Sequence, residues 1–223
     1  MTDQPTHDQW ARAVAAAGPE LDAEGQRIAV QTYWLLARGK PVPVSLIAAA
    51  AGVGDLRAEE SLRSWPLVFW DDQDRVIGFW GLAIQRLDPT HALEVNGETL
   101  YGWCAWDTLF ISEILGTETR VRSVDPNDGT EIELSVGPDG VLKRRPSEVV
   151  VSLLLPEGDF GPDTIQRFCH LIHFFSSVDS ALQWIGEQPG IFAVGVDEAF
   201  ELGKQTNQLR LGGLFRDHNR AGR

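Results

Sequence analysis

The sequence predicts an α+β protein, with a small winged-helix-like unit followed by a mixed or antiparallel sheet domain that carries helices. Three short helical patterns run into an apolar hairpin between residues 24 and 88, and from 89 to 223 turn-bounded strands are interspersed with helices. No internal repeat competes with that reading.

Residues 1 to 23 are polar and Ala-rich, with a short helical stretch in WARAVAAA, and are expected to form a loose leader. From Glu24 to Arg38, the residues Ile28, Ala29, Tyr33, Leu35 and Leu36 recur at helical spacing until Gly39 stops the pattern. VSLIAAAAGV makes a second short helix. After a turn at 52 to 54, Asp55 is placed to cap a third, DLRAEESLRSW, with Glu59 and Glu60 in its early turns. In LVFWDDQDRVIGFWGLAI two apolar runs flank a polar DDQD turn, the pattern of a β-hairpin. LDPTHALEVNGETLYGW gives another hairpin, DTLFISEILG a helix stopped by Gly116, and TRVRSV with TEIELSV a third hairpin around DPNDG. VVVSLLLP and RFCHLIHFF are apolar enough for buried strands, the second entered from a helix at DTIQR. SALQWIGEQ after Asp179, then IFAVGV and DEAFELGKQTNQLRL, follow as helix, strand and closing helix.

With 223 residues, 43% of them hydrophobic and 23% charged, the chain can bury a core without cross-links. Nothing approaches the roughly 18 apolar residues of a membrane span. The opening MTDQPTHDQW lacks the basic and apolar regions of a signal peptide, so a cytoplasmic location is expected, with Cys104 and Cys169 as free thiols. The net charge of −13 repels polyanions. The helix that would enter a DNA groove sets Arg57 and Arg63 against Asp55, Glu59 and Glu60, so nucleic acid is not an expected partner.

The chemistry concentrates in YGWCAWDTL. Cys104 and Asp107 are three residues apart, a spacing that on a helical turn puts both on one face. Trp103 and Trp106 add apolar bulk, and desolvation favours the proton-holding form of a carboxyl. A lone cysteine in such a setting is ordinarily an inert core residue. A thiol and a protonatable carboxyl in one dry pocket would instead supply a soft ligand and a proton. In RFCHLIHFF, strand alternation would put Cys169, Leu171 and His173 on one face. A zinc site from Cys104, Cys169 and a histidine would lack the close ligand pairs usual in structural zinc sites. No GxGxxG or phosphate-loop motif is present, so no organic cofactor is expected.

LYGWCAWDTLF, followed in order by the RVRS strand, VVVSLLLP, RFCHLIHFF and DEAFELG, resembles the organomercurial lyase (alkylmercury lyase) family from about residue 25 to residue 211. The resemblance implies that Cys104 and Cys169 are the catalytic cysteines and Asp107 the catalytic aspartate, with Trp103 an aromatic beside the first cysteine. Asp125 stands where many members carry a further, non-catalytic cysteine. The implied reaction is protonolysis of R–Hg⁺ to a hydrocarbon and Hg²⁺, for mercury detoxification. Two thiolates take the soft metal while Asp107 accepts a thiol proton and returns it to carbon. Product Hg²⁺ would rest transiently on Cys104, Cys169 and Asp107. Low-molecular-weight thiols would serve the site, and mercuric reductase would accept the metal. The rival readings are a thiol-based metal-sensing regulator built on the winged-helix unit, and a thiol redox enzyme, for which the chain lacks CxxC.

Overall fold

Thr6 and Gln9 form a reciprocal capping box, and the first helix, α1 (His7–Ala17), follows it. The computed structural model describes residues 5 to 212 other than Pro89, together with Leu214; the outer ends of the expected leader and second unit lie outside these residues. The leader is not loose. Trp10 is 1% exposed, donates its indole N–H to the Leu154 carbonyl at 3.0 Å, and stands edge-on to Trp106 with ring centroids 4.8 Å apart. One tryptophan and Val14 on a single face anchor the helix, which an Ala-rich composition does not advertise.

Asp22 caps α2 (Ala23–Leu36) by accepting the Gly25 N–H at 2.7 Å. β1 (Val42–Pro43) leads into α3 (Val44–Ala51), which Gly52 ends in the left-handed conformation. In α4 (Asp55–Ser64) the cap position falls to Gly54, and Asp55 is the first helical residue instead. β2 (Val68–Trp70) and β3 (Arg75–Phe79) form the expected hairpin, whose turn is held by the Asp71 carboxylate accepting the N–H groups of Gln73 and Arg75. A short β4 (Leu82–Ala83) follows.

Asn96 and Gly97, at φ 49° and 87°, make the two-residue turn between β5 (His91–Val95) and β6 (Glu98–Gly102). Next come α5 (Asp107–Leu115) and the strands β7 (Thr119–Val124), β8 (Glu131–Gly137) and β9 (Gly140–Arg145). β9 escapes the sequence reading because it is a mostly solvent-facing strand at the sheet edge, whose basic residues give no apolar alternation. β10 (Val150–Leu154), α6 (Thr164–Arg167), β11 (Phe174–Phe175), α7 (Val178–Ile185), β12 (Ile191–Gly195) and α8 (Val196–Leu211) complete the order. α7 is capped by Ser177, one residue before its first turn, and Asp179 lies inside it.

RFCHLIHFF is not a strand. Cys169–Leu171 wind into a 3-10 turn directly after α6, and only Phe174 and Phe175 pair, with β10. Burial alone makes such a run apolar, so periodicity cannot distinguish a strand from a packed turn. Cys169 and His173 consequently share no strand face.

All pairings are antiparallel. The large sheet runs β1-β3-β4-β6-β5-β7-β8-β9 with β2 beside β3, and the small one runs β11-β10-β12. β4 joins the N-terminal hairpin to the rest, with Leu82 opposite Gly102 and Ala83 opposite Tyr101. α8 packs against α1, α2 and α5. Among the described residues, no helix is long and apolar enough to cross a membrane.

Candidate active site

The site begins where β6 ends. After Gly102 the chain turns through residues 103 to 106 and enters α5 at Asp107, whose side chain folds back so that Oδ2 accepts the Cys104 N–H at 2.9 Å. Cys104 and Asp107 meet as the sequence spacing suggests, through a turn ahead of the helix instead of along a helical face. Two glycines make the room. A Cβ on Gly81 would stand 2.4 Å from Asp107 Oδ1, and one on Gly102 would stand 2.6 Å from Thr108 Cγ2.

Cys169 arrives from the 3-10 turn, which is pinned on two sides. Ser152 Oγ donates to the Leu171 carbonyl at 2.8 Å and accepts the His173 N–H at 2.9 Å. The Ile172 carbonyl accepts the Ala105 N–H at 3.1 Å, lacing the two cysteine segments together. One ligand atom from each of Cys104, Asp107 and Cys169 lies within 4.8 Å of the other two. All three residues are buried and both thiols are free. Among the described residues no histidine joins this cluster. The His173 ring sits 6.0 Å from that of His91 and 5.0 Å from that of Trp184, so the zinc arrangement is not formed.

Burial sets the electrostatics. It raises the Asp107 carboxyl from 3.8 to about 6, against the lowering effect of its hydrogen bonds from Cys104 and the Trp103 backbone. Burial also pushes the Cys104 thiol well up, reinforced by the neighbouring Cys169 sulfur and the negative charge of Asp107. At neutral pH this leaves a protonated Cys104 thiol beside a mostly ionised carboxylate that takes a proton readily.

Cys169 and Asp107 reach the wall of a cavity of about 60 Å³, which Cys104, 1% exposed, does not line. Trp80, Trp103, Trp106, Phe110 and Phe168 give the cavity its aromatic lining. Trp103 stands edge-on to Phe69 at 5.1 Å, and its backbone N–H donates to the Gly81 carbonyl at 3.0 Å. Trp106 donates to the Ala199 carbonyl of α8 at 3.0 Å.

Sequence reasoning missed Tyr33, Trp80, Gly81 and Arg210 as neighbours of the site. Trp80 has φ 36°, and that conformation is held by Tyr33 donating to its carbonyl at 2.6 Å and by its own indole N–H reaching the Pro66 carbonyl at 2.9 Å. The glycine directly after a tryptophan in GFWGL is the available signal for a close backbone approach. For Arg210 the signal is its spacing from buried Gly203 and Asn207 on α8.

Two thiols and one carboxylic acid in a buried aromatic recess, on an α+β frame, are suited to handling a soft metal and a proton together. Residues 86–208 match the family profile described as alkylmercury lyase. The chain is 39% identical over 184 residues to the alkylmercury lyase of Staphylococcus epidermidis, covering 79% of this chain and 82% of that protein. It is 39% identical over 168 residues to the alkylmercury lyase of Pseudomonas putida, covering 75% and 77%. The fold is that of the solved mercury-bound form of MerB2, with a TM-score of 0.71 at 22% identity, covering 91% of this chain and 98% of that one. The chain belongs to the alkylmercury lyase family and is an enzyme of that family.

Proposed function

We propose that this enzyme cleaves the carbon–mercury bond of R–Hg⁺, releasing the hydrocarbon RH and Hg²⁺, with Cys104 and Cys169 as mercury ligands and Asp107 as the proton carrier. The observation that carries the assignment is the buried convergence of two free thiols and one carboxyl. Cys169 fronts the cavity, so its sulfur meets the metal first and displaces the thiol that delivered it, whose sulfur leaves with the Cys169 proton. Cys104 joins second. A metal-bound thiol is far more acidic than a free one, and the Cys104 proton passes to the Asp107 carboxylate as the second sulfur–mercury bond forms. Two thiolates now donate into mercury. The electron pair of the carbon–mercury bond goes to carbon, which takes the proton from Asp107, leaving Hg²⁺ on two thiolates and Asp107 ionised again. Mercury stays divalent throughout.

Trp103 and its aromatic neighbours give the organic group an apolar place to lie and keep water away. External thiols would remove Hg²⁺, and mercuric reductase would be the acceptor in a cytoplasmic setting. The test is hydrocarbon release from phenylmercury in excess thiol, measured alongside bound mercury. Cys104→Ser and Cys169→Ser should each abolish turnover, because a hydroxyl is a poor mercury ligand. Asp107→Asn should still bind mercury yet lose benzene release by at least roughly 10²-fold. Near-wild-type release from Asp107→Asn would show that the proton comes from elsewhere.

A further inference from the structure

Arg210 is in the last turn of α8 and lines the same cavity as Cys169 and Asp107. Its guanidinium lies over the Trp80 ring, 4.1 Å from the centroid, and is packed so closely on Gly18 that a Cβ there would stand 2.9 Å from Nη2. Its Nε is sealed from solvent without a hydrogen-bond partner, and among the described residues no carboxylate pairs with the guanidinium. Other arginines are paired. Arg57 pairs with Asp22 and Glu24, Arg63 with Glu59 and Asp74, and Arg144 with Asp197. A guanidinium with one N–H cut off from water and no carboxylate beside it is costly to hold, and its five fork-arranged N–H donors suit a planar carboxylate. Asp107 is the other charged residue on the cavity wall, and its carboxylate is committed to Cys104.

We propose that Arg210 is a specificity residue that receives a carboxylate carried by the incoming organomercurial complex, either on the organic group or on the thiol that delivers the mercury. The inference rests on the lyase reading above and assigns that site a preference for anionic substrate complexes. In a protein of net charge −13 such a preference needs a local cation, because the overall field repels anions.

The experiment compares wild type, Arg210→Met and Arg210→Lys on two substrate pairs. In the first, phenylmercury and 4-carboxyphenylmercury are both delivered by cysteamine, which has no carboxylate. In the second, phenylmercury is delivered by cysteamine or by 3-mercaptopropionate. In at least one pair, Arg210→Met should raise the KM of the charged member relative to the neutral one by roughly tenfold or more, and Arg210→Lys should recover part of the difference. The responsive pair identifies which part of the complex carries the recognised carboxylate. Parallel changes of KM for charged and neutral members in both pairs overturn the proposal.

Binding to the wild type gives a readout independent of turnover and of any variant's folding. Benzoate should quench the cavity tryptophans at concentrations where benzyl alcohol does not, and equal responses to both would also overturn it. Absence of benzene release from phenylmercury by the wild type would instead count against the lyase reading.

Discussion

Asp107 carries a cost that its role explains. With a folded-state pKa of about 6 against an ordinary 3.8, it holds its proton more tightly in the native chain than in the unfolded one. Below about pH 3 the group is protonated in both states and contributes nothing to the pH dependence. As pH rises towards 6 the native state retains a proton the unfolded state has lost, so stability falls. Above 6 the full penalty, about 3 kcal/mol, is in place. Asp107→Asn should therefore be more stable than wild type by about 1–3 kcal/mol at pH 7.5 and nearly equal to it at about pH 3, measured by urea unfolding at the two pH values. The same ionisation governs activity. Because the carboxylate must be free to accept the Cys104 proton, kcat/KM for phenylmercury should rise with pH through an apparent pKa near 6. A flat profile between pH 5 and 7 would remove Asp107 from that step.

The β3–β4 turn decides whether that carboxylate can sit where it does. Gly81 has φ 95° and leaves no space for a Cβ beside Asp107 Oδ1. Gly81→Ala should cost at least about 1–3 kcal/mol and depress benzene release, while both thiols still react fully in denaturant. Turns and the first cysteine were legible in the sequence because their signals are local. Asn96-Gly97 names its own hairpin, Gly116 its own helix stop, and Cys104 with Asp107 lie within one turn of each other. Cys169 was legible only by resemblance, since a 3-10 turn buried under aromatic rings reads like a strand. Trp80, Tyr33 and Arg210 reach the cavity on three separate elements, so the glycine after Trp80 and the spacing of Arg210 from Gly203 and Asn207 mark packed positions without recording that they meet at one site.

At the scale of the whole molecule, the α1–α8 layer closes the side of the cavity that the sheet leaves open. Trp10→Ala should cost about 3–5 kcal/mol, as truncations of buried aromatics do, by removing the edge-on contact with Trp106 and the bond to Leu154. Its thermal midpoint and its rate of thiol modification in the native state report the two effects separately. The three-helix and hairpin unit carries Tyr33, Trp80 and Gly81 to the cavity wall. Both arginines of α4 are engaged by Asp22, Glu24, Glu59 and Asp74, so duplex DNA should not bind measurably at physiological salt, as a gel shift would reveal.

α8 is made after everything it seals. Until residues 196 to 211 have been synthesised, Trp106 lacks its acceptor on Ala199 and the recess lacks the wall that carries Asn207 and Arg210. The vulnerability of the enzyme to the metal it handles is thus a matter of timing. Mercury or an oxidant present during translation meets two thiols with no closed pocket around them, and can join them before the fold does. Chains ending at residue 195 and released from the ribosome should take up a short pulse of alkylating reagent on both Cys104 and Cys169, whereas full-length chains should resist the same pulse.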